Sequence, residues 1–239
     1  IDLGFEPQWV MVKRADAGSE HWAIIDNMRE MISLESGNAR MLKPNNSETE
    51  ESVGFANPLA TGFKVNRDEG VTNASGGTYI YIAIRRPTAV PESATEVFAI
   101  DNNTGQTGIT TGVVTDFGFA GQRSGTDKYY VGTRLLQGSY LNFNSTASES
   151  SSSGFSFDQM DGFFSAAGSW NGYIGYGWKR APKYMDCLTY SGNGLDPDTR
   201  SLNHNLAAPV EMCWIKCRST TEKWMVWHKV LSQIASGGK

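Results

Sequence analysis

Short apolar runs, closed by a charge and parted by polar gaps, set the rhythm of this chain. Near the start, Pro7-Gln8-Trp9-Val10-Met11-Val12-Lys13 is followed across a polar gap by Trp22-Ala23-Ile24-Ile25-Asp26. Near the end, Pro209 to Lys216 and Trp224-Met225-Val226-Trp227-His228 keep the same order: proline, apolar run, lysine, polar gap, then a run opened by tryptophan. Runs of this length, bounded by proline and polar clusters, predict strands buried on both faces and joined pairwise as hairpins. Thr78 to Arg85 is rich in aromatic and β-branched residues and stops before Pro87, which predicts another strand. Gly172 to Lys179 interleaves Gly175 and Gly177 with Ile174, Tyr176 and Trp178, so one face of that strand is bare and the other heavy. A bare face lets another backbone or ring come close. Asn27 to Leu34 is the best helical stretch, and Ser148 to Ser153 predicts a polar loop.

The pattern recurs between these ends. Leu42 to Ser52 resembles Leu141 to Ser150 in its Leu, Asn-Ser and Glu-Ser frame, and Gly62-Phe63 matches Gly162-Phe163. Tyr79 to Pro87 matches Tyr173 to Pro182, and Pro87 to Pro182 gives a period of about 95 residues. The units this implies are residues 1–90, 91–183 and 184–239, with opening strands near Glu96 to Ile100 and Met185 to Tyr190. The first unit lacks its opening strand and the third stops before its Asn-Ser segment. Either the chain is part of a longer polypeptide, or the first and third units complete one another. The longer parent is favoured, because Ser236-Gly237-Gly238-Lys239 ends where a continuing loop is expected, and Ile1 in place of Met reads as a processed or truncated end. Thr107 to Gly138 fits the repeat worst.

Composition agrees with strands and turns. Of 239 residues, 39% are hydrophobic, 19% charged and 26 are glycine, a profile of all-β proteins. The net charge of −4 argues against an electrostatic grip on nucleic acid. No apolar run reaches the roughly 18–20 residues of a membrane span, so no membrane insertion is expected, and no signal-peptide pattern opens the chain. Cys187, Cys213 and Cys217 are too few and too odd in number for a disulfide scaffold and read as small buried hydrophobes.

Candidate chemistry is sparse. His21, His204 and His228 have no metal-ligand spacing, and no nucleophile elbow, P-loop or dinucleotide fingerprint is present. Asp196 and Asp198 flank Pro197 as turn formers, and Glu51 and Glu149 recur in register as a structural loop contact. Asp101 to Gly105 could hold calcium but reads first as a turn. The expectation is therefore a non-enzyme with no catalytic residues, no metal and no cofactor. Trp9, Trp22, Trp178, Trp214 and Trp224 lie in the recurring strands and read as core. Trp170 and Tyr173, beside Gly168 and Gly172, read as surface, and with Tyr176 they are the candidate ligand-binding residues.

Several segments together carry a family resemblance. They are Thr189-Tyr190-Ser191-Gly192-Asn193-Gly194, Ser201 to Leu206, Pro209 to Arg218 and Trp224 to His228, continued by Leu42 to Ser47, Gly62-Phe63 and Asn73 to Ile80. This frame resembles the repeated module of unknown function in virion proteins of tailed bacteriophages, often in tail fibres. The resemblance covers nearly the whole chain apart from Thr107 to Gly138 and brings no catalytic residues with it. It implies a structural protein of the virion, a tail-fibre or appendage component whose partners are other copies of itself and other virion proteins. A host-surface glycan is the candidate ligand. A capsid decoration protein, a polysaccharide depolymerase and a secreted bacterial lectin are the alternatives. The fold expected is all-β: lectin-like or jelly-roll β-sandwich modules in tandem.

Overall fold

A computed structural model describes residues 1–29, 31, 40–67, 69–102, 108–125, 128–136, 138–152, 155–164, 170–194 and 201–231. The chain is all-β with almost no helix. Its strands are β1 (Pro7–Arg14), β2 (Ala23–Asp26), β3 (Ala56–Leu59), β4 (Gly62–Val65), β5 (Tyr79–Arg85), β6 (Phe98–Asp101), β7 (Ile109–Thr110) and β8 (Phe117–Gln122). They continue as β9 (Tyr130–Thr133), β10 (Ser139–Asn142), β11 (Ser150–Ser151), β12 (Gly162–Phe163), β13 (Tyr173–Trp178), β14 (Met212–Ile215) and β15 (Met225–His228). One sheet runs β2-β1-β5 and a larger one β11-β10-β9-β8-β13-β6, with the pairs β3-β4, β7-β12 and β14-β15 beside them.

One hairpin occurs three times in the same register. Trp9 faces Asp26 and Val12 faces Ala23 in β1–β2; Phe117 faces Thr133 and Ala120 faces Tyr130 in β8–β9; Met212 faces His228 and Ile215 faces Met225 in β14–β15. The first and third also share a lysine that folds back on the next carbonyl: Lys13 Nζ donates to Arg14 O at 2.8 Å, and Lys216 Nζ to Cys217 O at 2.7 Å. The expected match of Lys13 and Trp22 with Lys216 and Trp224 thus holds at the level of register. The second copy falls in the stretch where the sequence showed the poorest repeat. The third neighbour recurs as well, since β5 pairs with β1 as β13 pairs with β8: Val10 faces Ala83 and Gly118 faces Gly177.

Each of the two larger sheets packs an inner face on its own core. In the first, Val10, Val12, Ala23 and Ile25 meet Phe55, Phe63 and Met41. In the second, the positions of Val10 and Ile25 are taken by Gly118 and Gly132, and the volume returns from the facing layer as Phe157 and Phe164, beside Phe163 in the place of Phe63. A Cβ at Gly118 would lie 2.7 Å from the Phe163 ring, and one at Gly132 would lie 2.9 Å from Phe157. Interiors are filled to near-crystalline density, so this is a size exchange across the layer rather than a gap.

Several expectations need correction. The β14–β15 hairpin is not buried on both faces: Trp214 is 43% exposed and Met225 65%. It pairs with no third strand among the described residues, and it leans on the second unit through Trp214 against Phe117 and Phe143. No strand of the third unit completes the first sheet among the described residues. Of the helical stretch at Asn27 to Leu34, residues 27–29 form a turn, with the Asp26 carboxylate accepting from the backbone of Met28 and Arg29; residues 30 and 32–34 lie outside the described residues. Within the expected serine loop, Ser150 and Ser151 form edge strand β11 on β10. Glu51 and Glu149 both form ion pairs, but with different partners: Lys43 at 2.5 Å and Arg218 at 2.6 Å.

Candidate functional site

The three sequence-predicted ligand residues do not form one surface. Trp170 is 5% exposed and Tyr173 8%, and both belong to the second core. Trp170 stacks on Phe164 with ring centroids 4.8 Å apart and meets Tyr130 edge-on at 5.5 Å. The reason lies in the pleat of β13. Tyr173 shares its face with Gly175 and Gly177, and that bare face is the one pressed against the core, where a Cβ at Gly175 would be 2.1 Å from Ile109 Cγ2. The neighbouring glycines mark close packing rather than exposure. Tyr176 stands on the opposite face, half-buried, stacked on Phe119 at 4.6 Å beside Trp178. The strand tryptophans expected in the core are correspondingly half-buried, and Trp214 is exposed.

The most elaborately built site is one that local sequence reading missed. Asp116, at the entry to β8, is 1% exposed and is met by three arginines. Arg86 follows β5 and pairs with Oδ1, Arg134 follows β9 and lies 3.4 Å from Oδ1, and Arg180 follows β13. The Arg180 backbone N–H donates to Oδ2 at 2.7 Å. Its guanidinium grips Glu6 in a two-pronged pair at 2.6 and 2.7 Å and lies 3.8 Å from Asp186. Arg134 spends its remaining donors on the carbonyls of Thr115, at 2.7 Å, and Phe157, and on Met28 Sδ at 3.2 Å. Three cations and three carboxylates balance, which is the condition for burying so much charge. The only sequence signal was the matched Arg86-Pro87 and Lys179-Arg180-Ala181-Pro182 frame, which reads as punctuation.

Electrostatics follow from this packing. Burial alone would raise the Asp116 carboxyl, but Arg180, Arg86 and Arg134 outweigh it and hold it below its ordinary value. Burial and the two other cations lower Arg134 to about 10 despite Asp116, so it stays charged at neutral pH. Arg180 also loses hydration, but Glu6 and Asp116 more than compensate and raise it. Burial pushes the nearby Cys187 thiol up to about 12. The shifted groups keep their ordinary charge states at neutral pH, so the arrangement holds charge in place. An open hollow over Arg85, Arg86, Pro87 and Thr88 measures ≈ 260 Å³, and the cavity lined by Glu6, Arg86, Arg180 and Asp186 among others measures ≈ 40 Å³. That is room for about one water, against the roughly 300–1,000 Å³ of ligand pockets.

The remaining candidates separate cleanly. Among the described residues no three His, Cys, Asp or Glu side chains converge as a metal site. Asp101 closes β6 and accepts from the Thr110 N–H at 2.7 Å, while residues 103–107 lie outside the described residues, as do Asp196 and Asp198. All three cysteines are free and half-buried, and Cys217 lies beyond the end of β14. Thr220, 3.0 Å from its sulfur, and Ser219 lower the Cys217 thiol to about 7. Alkylation by iodoacetamide should accordingly accelerate through pH 7 at Cys217 while Cys187 stays unmodified in the folded protein, read by peptide mass spectrometry. Thr220→Ala should move that midpoint upward; an unchanged midpoint would rule out the hydroxyl as its cause.

With this geometry in place, the match to known families covers the first sheet. Residues 1–87 match a domain of unknown function, DUF7483. The matched stretch runs from before β1 through β5 and Arg86, so it contains Glu6 and Arg86 but not Asp116, Arg134 or Arg180. No curated protein and no solved structure matches the chain.

Proposed function

We propose that this chain is a structural protein of a tailed-phage particle, a tail-fibre or similar appendage component. In this reading it is built of lectin-like sandwich modules in tandem, located in the virion, and assembled with copies of itself and other virion proteins. The observation that carries the proposal is the hairpin repeated three times in one register, with its units joined through a buried, balanced ionic cluster. Arrays of this kind suit extended or multimeric assemblies. The resemblance of Pro209 to Arg218 and its companion segments to virion modules supports the same reading. A host-surface glycan remains the candidate ligand. Trp227, 42% exposed on β15, is better placed than Trp170 or Tyr173 to stack on a sugar ring.

Immunogold electron microscopy on intact particles, with antibody against this chain, tests the proposal. Label at the tail or fibre tips is expected. Label spread over the head would make the protein a capsid decoration protein, and absence of label from purified particles would remove it from the virion.

A further inference from the structure

The two larger sheets differ at one edge, and that difference names an occupant. In the second sheet, β13 is flanked by β8 on one side and β6 on the other, with Phe98 facing Trp178, Ala99 facing Gly177 and Asp101 facing Gly175. In the first sheet, β5 stands where β13 does, paired with β1, and its outer edge has no strand among the described residues. The backbone of that edge is set up for pairing. Lys179 N donates to Val97 O at 2.8 Å, so Gly177 and Gly175, two and four residues back, also aim their backbone groups at β6. Ala15 N donates to Thr78 O at 2.7 Å, so Ile80, Ile82 and Ile84 aim theirs at β1, and Tyr81, Ala83 and Arg85 aim theirs outward. These three outward positions correspond to Gly175, Gly177 and Lys179.

The side chains fit the same occupant. Ile80, Ile82 and Ile84 are 53%, 52% and 47% exposed on the face where β13 carries Ile174, Tyr176 and Trp178. There, Phe98 of β6 lies against Trp178 with ring centroids 4.9 Å apart. Glu96 and Asp101 flank the apolar residues of β6, and Arg85 stands exposed at the end of β5 with no ion pair among the described residues. An apolar, unpaired edge strand is an invitation to strand addition.

We propose that the outer edge of β5 takes an extended, antiparallel strand of the β6 type, supplied by a neighbouring module of the same build. Ala99 of such a strand sits opposite Ala83, Phe98 opposite Ile84 and Asp101 opposite Tyr81. The docking holds whatever particle the chain belongs to.

The test uses the full chain and a synthetic peptide of residues 96–102, carrying a fluorophore and read by anisotropy. Saturable one-to-one binding is expected. N-methylation of Ala99, which removes the N–H aimed at Ala83, should weaken it by about tenfold or more, as for the loss of a paired backbone bond of about 1.4 kcal/mol. N-methylation of Ile100, whose N–H points away from β5, should leave affinity within about twofold. Ala83→Pro in the protein should abolish binding with the far-UV circular dichroism unchanged, because proline on an edge removes only the outward donor. No saturable binding at about millimolar peptide, or equal loss from both methylations, would overturn the proposal. So would a dimer in sedimentation that the peptide fails to dissociate, since a second β5 would then hold the edge.

Discussion

Asp116→Asn is expected to destabilise the fold by about 3–5 kcal/mol, the usual cost of removing one partner from a buried ion pair. Asparagine keeps the shape, so the loss is one of charge. Arg86, Arg134 and Arg180 would be left around a neutral amide, with only Glu6 and Asp186 to answer them. Equilibrium denaturation by urea measures the loss directly. Adding Arg134→Met should recover part of it, because the remaining charges balance again and methionine can fill the space. A cost below about 1 kcal/mol would mean the cluster behaves as a surface pair.

The pH dependence of the same variant has a definite sign. The carboxyl is depressed in the folded state, so its contribution is complete above the ordinary aspartate value of 3.8 and is lost as pH falls through the lower folded value. The stability gap between wild type and Asp116→Asn should therefore stay constant from neutrality down to mildly acidic pH, narrow as pH falls below 3.8, and be gone below the lower folded value. A gap that widened on acidification would contradict the assignment.

Gly162→Ala is expected to be the next most damaging change. A Cβ there would lie 2.0 Å from the backbone oxygen of Ile109 and 3.1 Å from Thr110 Cα. No rotamer relieves a clash with main chain, so β7 and β12 must part, at about 3 kcal/mol, the upper end of overpacking costs. For a chain of this size that lowers Tm by roughly 6–12 °C. Gly62 makes the same approach to Ile1, again at 2.0 Å. Gly62→Ala should cost less, because Ile1 is 50% exposed and can yield, whereas Ile109 is fully buried. Equal losses at the two sites would show that the burial of the opposing strand does not matter.

The repeat was legible where residue types were kept. Proline, tryptophan and lysine mark β1, β2, β14 and β15, and their registers agree to the residue. It was illegible at β8 and β9 for a packing reason. Gly118 and Gly132 replace Val10 and Ile25, and the missing volume comes from Phe157 and Phe164 more than twenty residues further on. A comparison of identities sees glycine against valine; the core sees the same filled space. The misplacement of Trp170 and Tyr173 has a related origin, since glycine beside an aromatic suits both an exposed turn and a tight interior contact. Asp116 and Arg134 gave no local sign at all. Burial of a charge depends on partners that the fold brings from distant positions, such as Arg86 and Arg180, and single residues do not announce that.

The ionic cluster also constrains how such a chain can diversify. Its members come from Glu6 before β1 and Arg86 after β5 on one side, and from Asp116, Arg134, Arg180 and Asp186 on the other. Recombination that exchanged the first unit at Pro87 would carry off Glu6 and Arg86 together, one charge of each sign, and would be tolerated only by a donor bringing an equivalent pair. A crossover inside β5 would separate Glu6 from Arg86 and strand a buried charge. An exchange of the N-terminal segment would thereby be tolerated best at a boundary just after Arg86, and the cluster would act as a compatibility key between the segments on either side.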